Sequence, residues 1–304
     1  MPYLLMLLFL VPRTASQVTT KINSNDFSKL KTTGSFLYVL ITGVFSLFVF
    51  FAANGFSLNI NPTVVTYAAI YGTCGTINVI MTVFMYKFAS VTFVNFIMGT
   101  ISLIASATLG ALILNEEITS ALILQIALML VCIVTMFVGE TKDKKNGTSE
   151  KKRLTPLSFI LPSAYAFLSV IATFALKYYT VSENCTDTNS LFFMCNVWAL
   201  VYVTPLFFVF AKKEKAPRAE LIKICTDKRC LFVLLNTIVG SLVTIVSTIL
   251  LAQMDVALHA PVISALGYVA IAIATPIVKE RLDKYKIIST VIAVLSLFLP
   301  MIIF

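Results

Sequence analysis

Carboxylates are missing from the long apolar runs of this 304-residue chain: all 14 Asp and Glu fall in the polar breaks between them. That leaves no membrane-embedded acid to act as a proton carrier. Histidine occurs once, at His259, so no histidine-based metal or base constellation can be assembled. No glycine-rich phosphate loop and no nucleophile elbow occur, so the chain is not expected to be an enzyme, and no cofactor is expected. Alternation of apolar and polar residues is also absent, which excludes a membrane β-barrel. Charged residues make up 12% of the chain against 59% hydrophobic, and a soluble fold would lack the polar surface it needs.

What is present is a series of apolar runs near twenty residues long, the length of a membrane-spanning helix. Backbone groups in lipid must be satisfied within their own segment, so the runs are helices. Ten are expected. The first, Tyr3 to about Lys21, is interrupted by Pro12 and Arg13. The next four span Gly34–Ala53, Pro62–Tyr86, Val91–Leu114 and Thr119–Gly139. The last five span Pro156–Lys177, Leu191–Ala211, Leu231–Leu251, Ala257–Val278 and Tyr285–Phe304. Between the fifth and sixth lies the most polar stretch of the chain, Glu140 to Arg153, rich in lysine and read as an exposed linker. The expected organisation is a five-helix repeat over 1–139, a basic cytoplasmic linker over 140–155 and a second five-helix repeat over 156–304.

The division into halves has a trace in the residues themselves. Sliding the sequence by 164 positions lays Asn95 on His259, Glu116 on Glu280, Ile118 on Leu282 and Thr119 on Asp283, each inside the same order of apolar segment, acidic turn and apolar segment. Such an echo at about half the chain length is what a duplicated membrane unit leaves behind.

Basic residues are distributed by loop. Of the 23 Lys and Arg, 21 lie in the first, third, fifth, seventh and ninth loops, while Lys177 closes a helix and Arg13 lies within one. By the positive-inside rule the odd loops face the cytoplasm, which puts both termini outside. The net charge of +9 is then a topology signal on a solvated face. Nucleic acid is not expected as a partner, because no basic and aromatic interleaving occurs outside the membrane.

Five helices, a basic linker, five more helices, and a turn with Glu after the fourth and ninth (Leu114-Asn115-Glu116-Glu117-Ile118-Thr119 and Val278-Lys279-Glu280-Arg281-Leu282) resemble the drug/metabolite transporter superfamily, in particular its ten-helix EamA-type members. The stretch Phe84 to Asn95 resembles the family segment joining helices three and four. The resemblance implies an all-α integral membrane fold, ten transmembrane helices forming two inverted five-helix repeats around a central cavity. It also implies substrate contacts from helices one, three, four, six, eight and nine. The family's usual topology has both termini in the cytoplasm, opposite to what the loop charges indicate here.

Polar residues occur in those helices independently of the resemblance. Tyr67, Tyr71 and Asn78 share one face of the third helix, and Asn236, Ser241 and Thr244 form a stripe on the eighth. Asn95 lies on the fourth, and His259, Ser264 and Tyr268 on the ninth. Each is a candidate substrate contact; each is equally the kind of residue that hydrogen-bonds between helices for about 0.6 kcal/mol without touching a ligand. Arg13 is the most pointed candidate. Ten residues beyond Tyr3 it lies about 15 Å along the helix, near the middle of a core about 30 Å thick. It either serves an anionic or zwitterionic substrate or snorkels to the interface.

Other features read as structure. Glu116, Glu117 and Glu280 are expected at helix N-termini, where a carboxylate suits the helix dipole. Gly72, Gly75, Gly99, Gly110 and Gly240 permit close helix approach. Tyr178, Tyr179 and Tyr285 are expected as interfacial anchors. Cys74 and Cys132 behave as small hydrophobes. A Cys185–Cys195 bridge is conceivable, and Asn184-Cys185-Thr186 matches a glycosylation sequon.

The function expected is a secondary transporter, exporter or exchanger, moving a small polar metabolite, anionic or zwitterionic, by alternating access in the plasma membrane. An intramembrane enzyme and a non-transporting scaffold or receptor are the alternatives. The partners are a small-molecule substrate and the lipid bilayer, with homodimer formation left open.

Overall fold

The computed structural model describes residues 2–27, 31–88, 91–145, 155–182, 187–214, 222, 226–277 and 284–303, and every extended element among them is an α-helix. In chain order these are α1 (Pro2–Phe27), α2 (Lys31–Ala53), α3 (Pro62–Phe88), α4 (Val91–Leu114), α5 (Ser120–Lys145), α6 (Leu157–Val181), α7 (Thr188–Lys213), α8 (Lys228–Gln253), α9 (Val256–Ile277) and α10 (Lys284–Ile303). The helices match the apolar runs but outlast several of them. α1 continues six residues past Lys21 and α5 six past Gly139, because Lys, Asn and Thr tolerate a helix once it has left the apolar run. Pro62 opens α3, where its missing N–H costs no intrahelical bond, and Asn61 caps the same end by accepting from Val64 N–H at 2.8 Å.

Among the described residues, seven helices are long and apolar enough to cross a membrane, namely α2, α4, α5, α6, α7, α8 and α9. α10 adds a shorter apolar stretch, 287–296. This is the signature of a multi-pass membrane protein.

The chain forms two compact units, and each takes segments from both halves of the sequence. The first unit comprises Met1–Thr14, Phe84–Val170 and Ile249–Phe304; the second comprises Ala15–Val83 and Ile171–Thr248. α1 passes from one unit to the other at Thr14 and α6 at Val170, 156 residues later; α3 passes at Val83 and α8 at Thr248, 165 residues later.

In the first unit, α4 packs on α9 and α5 on α10, with α9 also against α5 and α10. Along α4 and α9, Gly110 lies beside Ala257 and Gly99 beside Tyr268, so one helix descends as the other rises. The α5 and α10 pair runs the same way: Gly139 meets Tyr285, Cys132 Sγ donates to the Ser289 carbonyl at 3.1 Å, and Ser296 Oγ donates to Met129 sulfur at 3.2 Å. In the second unit the large pairing is α2 with α7. Phe36 lies 5.1 Å from Phe210, Gly43 meets Leu200, and Phe50 lies 5.3 Å from Phe192, so this pair is antiparallel too. Each of these three pairs joins helices holding the same place in the two series of five.

Loop ends gather by parity within each unit. Glu214, after α7, bonds the first turn of α2, and Asn54, after α2, donates to Ser190 Oγ at the start of α7. At the basic end of the first unit, Lys142 and Lys284 each hold Nζ over the Tyr285 ring, at 5.3 and 5.5 Å.

Candidate functional site

The sequence-named residues divide between the units. Arg13, Asn95, His259, Ser264 and Tyr268 belong to the first; Tyr67, Tyr71, Asn78, Asn236, Ser241 and Thr244 belong to the second.

In the first unit, Arg13 sits one residue after Pro12 in an α1 that continues unbroken to Phe27. Its residue surface is half-buried, and its Nε is fully buried with no hydrogen-bond partner among the described residues. The phenol of Tyr165 on α6 is its electrostatic neighbour. A cation with an unspent donor, in a chain whose spans hold no carboxylate, is costly unless something else completes it. On α9, His259 and Tyr268 are buried and Ser264 is half-buried. Tyr268 Oη lies 3.4 Å from where a Cβ on Gly99 would stand. Asn95 lies on α4; its side chain is outside the described ones.

In the second unit, Asn236 is the centre of a buried polar cluster joining α1, α2 and α8. Its Oδ1 accepts from Thr19 Oγ1 and, at 3.2 Å, from Thr20 Oγ1, and its Nδ2 donates to Tyr38 Oη. Asn23, one turn further along α1, donates to the Phe232 carbonyl at 3.4 Å. Tyr67 packs edge-on to Tyr179, and Tyr71 to Phe192. Thr244 spends its hydroxyl on the Gly240 carbonyl, one turn back. Asn78 and Ser241 are buried.

Three expectations change in the structure. Tyr179 is no interfacial anchor: it is fully buried, because its hydroxyl finds the Asp187 carbonyl at 2.8 Å across the α6–α7 turn and leaves the ring free to pack. Glu116 does not serve the helix that follows it. Its Oε1 and Oε2 accept from Val256 N–H at 2.7 Å and Ala257 N–H at 2.9 Å, capping α9. Of the five small-residue positions, Gly75 and Gly240 have open space where a Cβ would stand, whereas a Cβ on Gly72 would lie 2.9 Å from the Cys195 carbonyl oxygen. Glu280, Cys185, Cys225 and the Asn184 sequon lie outside the described residues, while Cys74, Cys132 and Cys195 are buried free thiols.

Glu214 was not singled out by the sequence and mirrors Glu116. Its carboxylate accepts from Thr33 N–H at 2.9 Å, Thr33 Oγ1 at 2.7 Å and Thr32 N–H at 3.3 Å. Partial burial pushes this carboxyl up, and the hydrogen bonds from Thr33 and Thr32 outweigh it, leaving the group below the ordinary carboxylate range. Among the described residues no cluster of three His, Cys, Asp or Glu side chains gathers in a metal-holding arrangement.

No protein-family model and no curated protein matches the chain. Chains of solved structure do. One, described only as the crystal structure of a protein, has a TM-score of 0.70 over 98% of this chain and 96% of its own, at 14% sequence identity. At that identity the likeness is one of fold, and this fold is therefore one already seen by crystallography.

Proposed function

We propose that the chain is a ten-span secondary transporter of the drug/metabolite type, two inverted five-helix repeats that move a small anionic or zwitterionic solute by alternating access. The observation that carries the reading is the antiparallel pairing of equivalent helices: α2 with α7, α4 with α9 and α5 with α10. A duplication related by an axis along the membrane normal would set equivalent helices parallel; an axis in the membrane plane sets them antiparallel, which is the architecture of alternating-access carriers. The recurrence of the unit boundaries 156 and 165 residues apart supports the same duplication. Arg13 supports the substrate class, since a half-buried arginine whose Nε is buried with no partner among the described residues offers an anion a charge-assisted hydrogen bond.

The test is reconstitution into liposomes, exposure to a pooled metabolite extract, and mass spectrometry of what enters. Enrichment of one or a few carboxylates or amino-acid-like solutes over protein-free liposomes is expected. Entry indistinguishable from protein-free liposomes overturns the reading.

A further inference from the structure

The turn after α4 is built to deliver one carboxylate to one place. Asn115 takes the left-handed conformation at φ 53°, a backbone state Asn tolerates better than most residues, and reverses the chain beyond the helix. Glu116 N–H then donates back to the Gly110 carbonyl at 3.2 Å, which fixes its Cα over the last turn of α4. The side chain passes across Gly110, where an added Cβ would stand 2.3 Å from Oε2, so only glycine leaves room for the carboxylate. At its end both oxygens are occupied by the first two N–H groups of α9. Val256 and Ala257 are themselves buried, so water has no ready route to those donors if the carboxylate leaves.

α9 is the most enclosed of the seven apolar spans, and it carries His259, Ser264 and Tyr268. His259 lies two residues beyond the capped pair, and its N–H continues the helix to the Asp255 carbonyl at 2.9 Å. The rotation and height of these three side chains are therefore set at the point Glu116 holds.

We propose that Glu116 is a positioning residue of the transport site: it pins the first turn of α9 to the end of α4 and so fixes the face of α9 that meets the solute. The proposal rests on the transport reading for its consequence, but the tether itself is independent of it. Gly110 is the second half of the device, and damage at either position breaks the same link.

The experiment uses the full chain carrying Leu258→Cys, with N-ethylmaleimide labelling at that position followed by peptide mass spectrometry, so that native cysteines do not interfere. Glu116→Gln, Glu116→Ala and Gly110→Ala are each expected to raise the labelling rate about tenfold, the scale of one lost charge-assisted hydrogen bond. Combining Gly110→Ala with Glu116→Ala adds nothing further, because the collision partner is already gone. Labelling unchanged in the Glu116 variants overturns the tether. In proteoliposomes, with the solute from the pooled extract that enters fastest, Glu116→Gln raises KM about tenfold at nearly constant maximal rate, and Glu116→Asp recovers part. Raised labelling with unchanged KM overturns the positioning role and leaves a helix cap. Absence of any solute entry in the parent protein removes the transport reading and the positioning role with it, while labelling still decides the tether.

Discussion

Arg13 and Asn236 show how differently two polar side chains can fare inside apolar helices. Asn236 is spent: two hydroxyls reach its oxygen and its amide reaches Tyr38, so it holds α1, α2 and α8 together. Arg13 keeps a buried Nε unpaired among the described residues. The two were equally visible in the sequence, since each is a polar residue within an apolar run. What separates them is whether a neighbour from another helix completes the hydrogen bonds, and Thr19 and Asn236 lie 217 residues apart. At this scale the prediction concerns Arg13. Arg13→Gln, at normal abundance in the membrane, lowers solute uptake about 10- to 100-fold, the loss of one or two charge-assisted hydrogen bonds. Arg13→Lys restores only part, because the planar fork is gone. Uptake assays on variants matched for membrane abundance check this, and parent-like transport by the Gln variant removes Arg13 from the site.

Helix positions were legible from run length alone: α3 and α4 start at Pro62 and Val91 as expected, whereas α2, α7 and α8 start three residues before their apolar runs, at Lys31, Thr188 and Lys228. The contacts between helices were not legible. Gly72 and Gly75 look alike in sequence, three residues apart on α3, yet only Gly72 faces a neighbouring backbone. Gly72→Ala must push α3 away from the Cys195 backbone and is expected to destabilise the protein by about 1–3 kcal/mol, whereas Gly75→Ala is neutral or stabilising by about 0.5–1 kcal/mol through helix propensity. Thermal unfolding in detergent distinguishes the two. Glu116 and Glu214 were similarly illegible, because a cap supplied by the end of a distant helix leaves no local pattern. Glu214 has a pH signature. Its carboxyl titrates below its unfolded value, so its contribution is fully present above about pH 4.5, the ordinary range for Glu, and is lost as pH falls through the lowered folded value. Glu214→Gln should cost about 1 kcal/mol at neutral pH and make unfolding less acid-sensitive below that range, as read from melting temperature against pH.

For the whole molecule, the proposed duplication is only partly legible: the 164-residue echo locates the two acidic turns, but it does not say whether the copies run parallel or opposed. The antiparallel pairing of α2 with α7, α4 with α9 and α5 with α10 supports the opposed arrangement. Loop charge predicts which face is cytoplasmic, and at one end of the first unit Lys142 and Lys284 gather over Tyr285. With odd loops cytoplasmic, a cysteine placed between residues 142 and 153 is protected from an impermeant thiol reagent applied to intact cells, while Cys185 labels. A linker that labels from outside reverses the orientation.

The central claim, a carrier that alternates between two faces without a carboxylate proton relay, is tested most directly by counterflow. Proteoliposomes loaded with unlabelled solute, with no proton gradient and the membrane potential clamped, are diluted into trace labelled solute of the same kind. The expected result is a transient accumulation of label above its equilibrium level, abolished by Arg13→Gln. Uptake that never exceeds equilibrium, or that appears only when a pH step is imposed, contradicts the account.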